Sequence, residues 1–470
     1  MKYFFRASRS TRPRSAAHHG NAPSERPDAK MRARYVMDAT TVKRRQFLTS
    51  VLATTTVMGC HGQVTAPVPD HAPPAGDAWQ DVRSAFNLSP DWIHLGGFLL
   101  ASHPKPVREA IERHRRALED NPVLYLEDHD HVTPVRVAAA AYMGVQPDEI
   151  ALTDSTTMGL ATLYNGLPLR AGDDVVTTAH DHYATHESLR LAAERTGAVV
   201  RRVPLYDRAA AATAPAMTEA IARAIRPETR VVAITWVHSS TGVRTPVRAI
   251  AEVVARANAG RDPKSHVLLC VDGVHGFGVE NVTMSELGCD FFVAGCHKWI
   301  FGPHGTGLIW GKAEKWRLLR PTIPQFGPEA YGAWMKGTPP PPTTADMMTP
   351  GGFHAFEHRW ALGEAFDFHR TIGKARVAAR IHELNRQCKE GLAAMKHVVL
   401  HTPRADDISA GIITFEVLGM EPRAVVKRLA AARVIATTTP YATSYARLAP
   451  GLINTPEDVE AALRAVRALG

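Results

Sequence analysis

Val231-Val232-Ala233-Ile234-Thr235-Trp236-Val237 is a nearly unbroken apolar run, preceded by Arg230 and followed by His238-Ser239-Ser240-Thr241-Gly242. A strand with one wet face alternates apolar and polar residues. A run without that alternation is buried on both faces, as in a mostly parallel sheet covered by helices. Outward from this run, β-rich stretches recur at 149–153, 174–178, 198–205, 266–272 and 291–296. Helical periodicity occupies 185–195, 217–225 and 247–258 between them. Such alternation predicts an α/β fold, a mostly parallel central sheet with helices on both faces. After a Pro-rich passage at 338–344, strands at 411–417 and 434–438 alternate with helices at 422–431 and 456–469. That change predicts a smaller α+β domain at the C-terminal end. The expected division is a leader at 1–60, a flexible linker and N-terminal segment at 61–92, a large α/β domain at 93–345 and a small domain at 346–470.

The chain has 470 residues and a formal charge of +9. Residues 1–59 hold 12 Lys/Arg against 3 Asp/Glu, and the remainder holds 43 of each sign. The basic excess therefore sits in the leader, and the body offers no net field for a nucleic acid. The five cysteines, Cys60, Cys270, Cys289, Cys296 and Cys388, form no CxxC pair and no zinc-ligand spacing. Neither a metal site nor a disulfide framework is indicated.

Lys43-Arg44-Arg45-Gln46-Phe47-Leu48 precedes a mildly apolar run at 49–59, too short to span a bilayer. Paired arginines followed by x-Phe-Leu and a weak apolar segment resemble a twin-arginine export signal. The resemblance implies the twin-arginine translocation machinery as a partner and a periplasmic or otherwise exported location. Val57-Met58-Gly59-Cys60 loosely matches a lipoprotein cleavage box, which leaves a lipid anchor at Cys60 and plain cleavage nearby both open. Residues 64–76, with four Pro, read as a flexible tether.

Three segments carry chemistry. Cys296-His297-Lys298-Trp299-Ile300-Phe301-Gly302-Pro303-His304-Gly305-Thr306-Gly307 puts a lysine after a buried strand and before a Gly/Pro-rich turn. A lysine there reaches the crevice outside the sheet's carboxyl edge, where desolvation favours a neutral amine able to condense with a carbonyl. Val271-Asp272-Gly273-Val274-His275-Gly276 places a carboxylate at the end of another strand, suited to a protonated ring nitrogen. Thr153-Asp154-Ser155-Thr156-Thr157-Met158-Gly159 follows a strand and opens a helix, and such a turn presents hydroxyls and free amides to a phosphate.

In this order the three segments resemble the class V aminotransferase family of fold-type I pyridoxal-phosphate (PLP) enzymes. Through His297-Lys298-Trp299 and the following Pro-x-Gly-x-Gly, they resemble its isopenicillin N epimerase-like branch. The resemblance spans about 93–469. It implies Lys298 as the cofactor-bearing lysine and proton shuttle, Asp272 under the ring nitrogen, and His275 at the phenolic oxygen. It implies Thr156, Thr157 and His297 at the phosphate, His182 stacked on the ring with a catalytic share in proton relay, and Ser239 near the cofactor oxygen. His180, Asp181 and Tyr183 flank His182 as alternatives for the stacking position. Arg447, in Ala446-Arg447-Leu448, would grip a substrate carboxylate, a task suited to a guanidinium fork. The implied protein is a homodimer acting at the Cα of an amino acid or aminoacyl substrate, as an aminotransferase or an epimerase. A C–S lyase-type activity and a non-catalytic exported binding protein are the alternatives.

Departures from the family pattern are informative. Gly295 stands where many relatives carry a phosphate-binding Ser. Thr349-Pro350-Gly351-Gly352-Phe353 lacks the Thr that often reaches the neighbouring subunit. Residues 437–444 hold no Cys, and a cysteine desulfurase needs a nucleophilic thiol on that loop.

Overall fold

The computed structural model describes residues 78–470 apart from His129; the twin-arginine segment, Cys60 and the tether at 64–76 lie outside the described residues. In chain order the strands are β1 (Ile93–His94), β2 (Ile150–Thr153), β3 (Asp174–Thr178), β4 (Val199–Val203), β5 (Thr229–Thr235), β6 (Leu268–Asp272), β7 (Phe291–Gly295), β8 (Gly307–Gly311), β9 (Val398–Leu400), β10 (Ile413–Val417), β11 (Val434–Ile435), β12 (Thr437–Thr438) and β13 (Ala446–Leu448).

Seven strands form the central sheet in the order β2-β8-β7-β6-β5-β3-β4. All pairings are parallel except those of β8, which runs against both β2 and β7. The apolar run of β5 behaves as its composition requires. Val231 and Ala233 enter one core, Val232 and Ile234 the core on the opposite face. The edge strand β4 is only partly buried and carries Arg201 and Arg202. Arg201 closes on Asp174 of β3 at 2.6 Å.

The Gly/Pro-rich turn expected after Lys298 leads into a strand that the sequence pattern does not predict. Gly305, with φ +77°, does reverse the chain. The five residues Gly-Leu-Ile-Trp-Gly then insert antiparallel between β7 and β2. A segment this short, bounded by glycines, has no periodicity of its own to announce it.

The C-terminal layer holds the sheet β12-β13-β10-β9 and the pair β1-β11. The helices Lys374–Ala393, Pro422–Ala431 and Pro456–Arg467 cover it. The two layers exchange segments. β1, at the start of the range expected for the large domain, pairs in parallel with β11. The helix Leu362–Ile372, in the range expected for the small domain, packs on Val132–Met143 through Phe366 and Tyr142. The helix Ala78–Ser84 is tied to the last helix by Arg83 and Asp458 at 2.8 Å.

Candidate active site

In a parallel sheet the loops after the strands share one edge, and ligands bind in the crevice they form. Thr156 and Thr157 follow β2, His182 follows β3, Ser239 follows β5, Asp272 ends β6, and His297 and Lys298 follow β7. His275 extends the β6 loop and Arg447 comes from β13. All nine line one cavity of about 230 Å³, together with Phe98, Leu99, Thr235 and Pro440.

The Lys298 amine lies 3.3 Å from Nε2 of His275, whose Nδ1 accepts from the indole N–H of Trp299 at 3.3 Å. Burial pulls the Lys298 pKa down to about 8, with Asp272 opposing and Arg447 assisting. Burial also holds His275 well below the usual imidazole range. Asp272 is fully buried and pushed up to about 6 by that burial, while the Val274 amide, donating to its Oδ1 at 3.2 Å, opposes the rise. The Asp272–His275 turn lies tight on the sheet. A Cβ at Gly273 would come 2.0 Å from Phe292, and one at Gly276 2.2 Å from Trp236. After Lys298 the chain turns through Phe301, whose φ of 59° is left-handed. A side chain held there costs roughly 1–2 kcal/mol. The Lys298 and Cys296 carbonyls accept from Phe301 and Gly302, and Phe301 packs on Phe86 at 5.0 Å, which over-determines the turn.

Ser155 caps the helix Thr156–Gly166, its hydroxyl accepting from the Met158 amide at 3.1 Å. The first amides of a helix have no partner within it, so those of Thr156 and Thr157 remain for an anion. Nδ1 of His297 is buried without a hydrogen-bond partner. The Gly295 departure has a structural counterpart. Its amide donates to Thr156 Oγ1 at 2.8 Å, and a Cβ there would lie 2.9 Å from that oxygen and 3.0 Å from His297 Cε1. A Ser at 295 would displace two of the residues expected to hold the phosphate. Thr349 faces inward, its hydroxyl shared by the Leu152 amide at 3.0 Å and Arg136 at 3.1 Å.

Of the four side chains at 180–183, the structure brings only His182 to the cavity. Its Nδ1 accepts from the Ala184 amide at 3.1 Å, which leaves Nε2 free to face inward. His180 stacks on Tyr206 at 3.8 Å, Asp181 is buried on the amides of Thr178 and Thr235, and Tyr183 is 69% exposed. Arg447 is buried and donates to Thr437 Oγ1, the Ser239 carbonyl and the Thr438 carbonyl at 3.0, 2.8 and 2.9 Å. Among the described residues it has no carboxylate partner, and burial lowers its pKa to about 10. Two of its five N–H donors, one on each terminal nitrogen, are left for a ligand.

Two residues escaped the sequence reading. Tyr441, on the Thr/Ser-rich loop before β13, bonds Ser239 Oγ at 2.6 Å and stands edge-on to His182 at 6.2 Å. Phe98 lies under the Arg447 guanidinium at 4.8 Å. An aromatic between Pro440 and the arginine strand, and one after Gly96-Gly97, were the available signals.

The family model for aminotransferase class-V matches residues 114–462. A probable cysteine desulfurase of Halalkalibacterium halodurans is 27% identical over 333 residues, 67% of this chain and 76% of that protein. An isopenicillin N epimerase of Streptomyces clavuligerus is 25% identical over 352 residues, 72% and 84% of the two chains. Among solved structures, a C-DES mutant with glycine covalently linked to its PLP cofactor superposes with a TM-score of 0.73 at 22% identity, covering 83% of this chain and 99% of that one. That likeness gives the fold as fold type I of the PLP enzymes. With the family model spanning well over half of its length, this chain belongs to the class-V aminotransferase family.

Proposed function

We propose that this protein is a PLP enzyme acting at the Cα of an amino acid with a free carboxylate, as an aminotransferase or an epimerase. One observation carries the reading. A largely buried lysine amine with a lowered pKa and, among the described residues, no carboxylate within ion-pairing distance faces one cavity with Asp272 and Arg447. A purely structural lysine would be paired or solvated.

The residues fit the cofactor. Lys298 would carry it, Asp272 would meet its ring nitrogen, and His275 its phenolic oxygen. Thr156, Thr157 and the unpartnered His297 Nδ1 would hold its phosphate. When bound, the cofactor supplies an electron sink for charge developing at Cα. Asp272 keeps that sink effective by holding the ring nitrogen's proton. Lys298 Nζ, neutral as pH rises above about 8, accepts and returns the Cα proton. Arg447 orients the carboxylate with its two remaining donors, and Phe98 shields the guanidinium from water. His182 lines the same cavity as a second proton-bearing group beside Lys298, and two such groups are what epimerisation calls for.

Desulfurase-type chemistry lacks a thiol here. Residues 437–445 carry Tyr441 and no Cys, and the four described cysteines are buried with their pKa values pushed up. Borohydride treatment after PLP addition should leave a pyridoxyl label on the peptide holding residue 298, and no label there overturns the reading. Solvent deuterium wash-in at Cα across an amino-acid panel then identifies substrate and reaction type together. β-Elimination from cysteine or cystine without wash-in of intact substrate would move the assignment to a C–S lyase.

We also propose a homodimer and export through the twin-arginine route. The dimer is supported by the helix Pro328–Lys336, which buries none of its residues and carries Trp334 at 73% and Met335 at 67% exposure. Export is supported by Arg44-Arg45 and the run that follows. Sedimentation of the purified chain and fractionation of an Arg44→Lys, Arg45→Lys variant test the two.

A further inference from the structure

Trp299 is next to the lysine in sequence, and its indole N–H is directed at His275. An indole N–H can only donate. Nδ1 of His275 must therefore offer its lone pair, and in a neutral imidazole the proton then sits on Nε2. That Nε2–H points at Lys298 Nζ, 3.3 Å away. An ammonium at that point would set N–H against N–H, whereas a free amine accepts the bond.

We infer that Trp299 is a positioning residue: it fixes the His275 tautomer so that Nε2–H is directed at the Lys298 amine and keeps that amine in its neutral, nucleophilic form. The inference rests on the proposed function for its purpose, since attack on an aldehyde needs the unprotonated amine.

The surroundings hold the indole in place. It is 4% exposed. A Cβ at Gly411 would come 2.9 Å from its ring, and one at Gly278 would come 2.8 Å from its backbone carbonyl carbon. Phe98 stacks on it at 6.3 Å with a 26° interplanar angle. Other charged and titratable groups also face the amine. Asp272 at the end of β6 favours its cation, while Arg447 from β13 disfavours it. His182, which caps the helix Tyr183–Thr196, and His297 from the same loop as the lysine are pushed below the usual imidazole range by burial first, and further by the lysine when it carries a charge. Asp272 pulls in the direction opposite to the tautomer lock, so the state of the amine is a balance that one hydrogen bond can tip.

The test uses full-length Trp299→Phe, which keeps an aromatic ring and removes the donor. Competitive acetylation with trace acetic anhydride, read on the residue-298 peptide after any bound aldehyde is stripped, reports the amine's protonation without the cofactor. The wild-type midpoint is expected near 8. In the variant, His275 is free to present Nε2 as an acceptor, and the midpoint should rise by about one unit. Acetylation at neutral pH then falls about tenfold, with an unchanged plateau at high pH. A folded variant with an unmoved midpoint, or one slowed equally at every pH, overturns the inference. Should the variant fail to fold, the nitrogen-15 shifts of wild-type His275, assigned by their loss in His275→Asn, decide instead. Protonation at Nε2 supports the lock, and protonation at Nδ1 ends it. The two readings fail separately. A low midpoint without any pyridoxyl adduct at 298 sinks the PLP function and leaves the lock standing, while an adduct with the wrong tautomer does the reverse.

Discussion

Lys389 and Lys298 are both withdrawn from water, one within the helix Lys374–Ala393 and the other after β7, yet their surroundings have little in common. The Lys389 ammonium has the Arg404 carbonyl, Asp406 Oδ1 and Ser409 Oγ within 2.8–2.9 Å. Its three hydrogens are matched by three acceptors, one of them charged, and its side chain is 2% exposed. Among the described residues Lys298 has one nitrogen neighbour and no carboxylate in ion-pairing range. Burying a cation with full compensation is a structural solution; burying one without it favours the neutral form. The compensated lysine serves the fold, and the uncompensated one is the lysine to which the proposed function gives the chemistry.

That contrast can be broken by exchange of costs. Lys298→Ala should lower turnover on the order of a thousandfold or more while leaving the urea midpoint nearly unchanged, because no ion pair is lost. Unfolding by denaturant and steady-state kinetics on one preparation check both halves, and a large stability loss would erase the distinction. Lys389→Ala should do the opposite, costing about 3 kcal/mol of stability with wild-type kinetics in the folded fraction. Arg447→Lys sharpens the cavity side. Losing the fork should raise KM for free amino acids about tenfold and leave amino-acid amides less affected. Tyr441→Phe removes only the bond to Ser239, and kcat/KM should fall by a few-fold, about 1 kcal/mol. The pH dependence has a definite sign. Cofactor capture by wild-type protein should accelerate as pH rises through about 8, where Lys298 loses its proton. A flat profile from neutral to alkaline pH would place the amine's titration elsewhere.

The central sheet was legible because its strands are buried on both faces, so composition alone separates them from the helices. The gathering of Asp272, His297 and Lys298 was legible too, since each ends or follows such a run and all such loops share an edge. Partners distant in the chain were not legible. Nothing in Gly307–Gly311 says that it runs antiparallel between β7 and β2, and nothing in Ile93-His94 names Val434 and Ile435. The packing of Leu362–Ile372 against the large layer depends on Phe366 finding Tyr142, a match of shapes that one-dimensional periodicity does not contain. Trp299 belongs to the His-Lys-Trp motif, but its role depends on where its N–H points, which only a folded backbone decides. The sequence marks Gly295 as a departure from the family, and only the folded chain shows how closely Thr156 and His297 approach it.

The pairing of β1 with β11, reinforced by Arg83 and Asp458 at 375 residues' separation, has a consequence for folding. The C-terminal layer contains a strand made near the beginning of translation and closes only on strands made near the end. Arg447 reaches the cavity from that layer, so the crevice is completed only once segments remote in sequence have met. Contacts this remote in sequence slow the search for the native state.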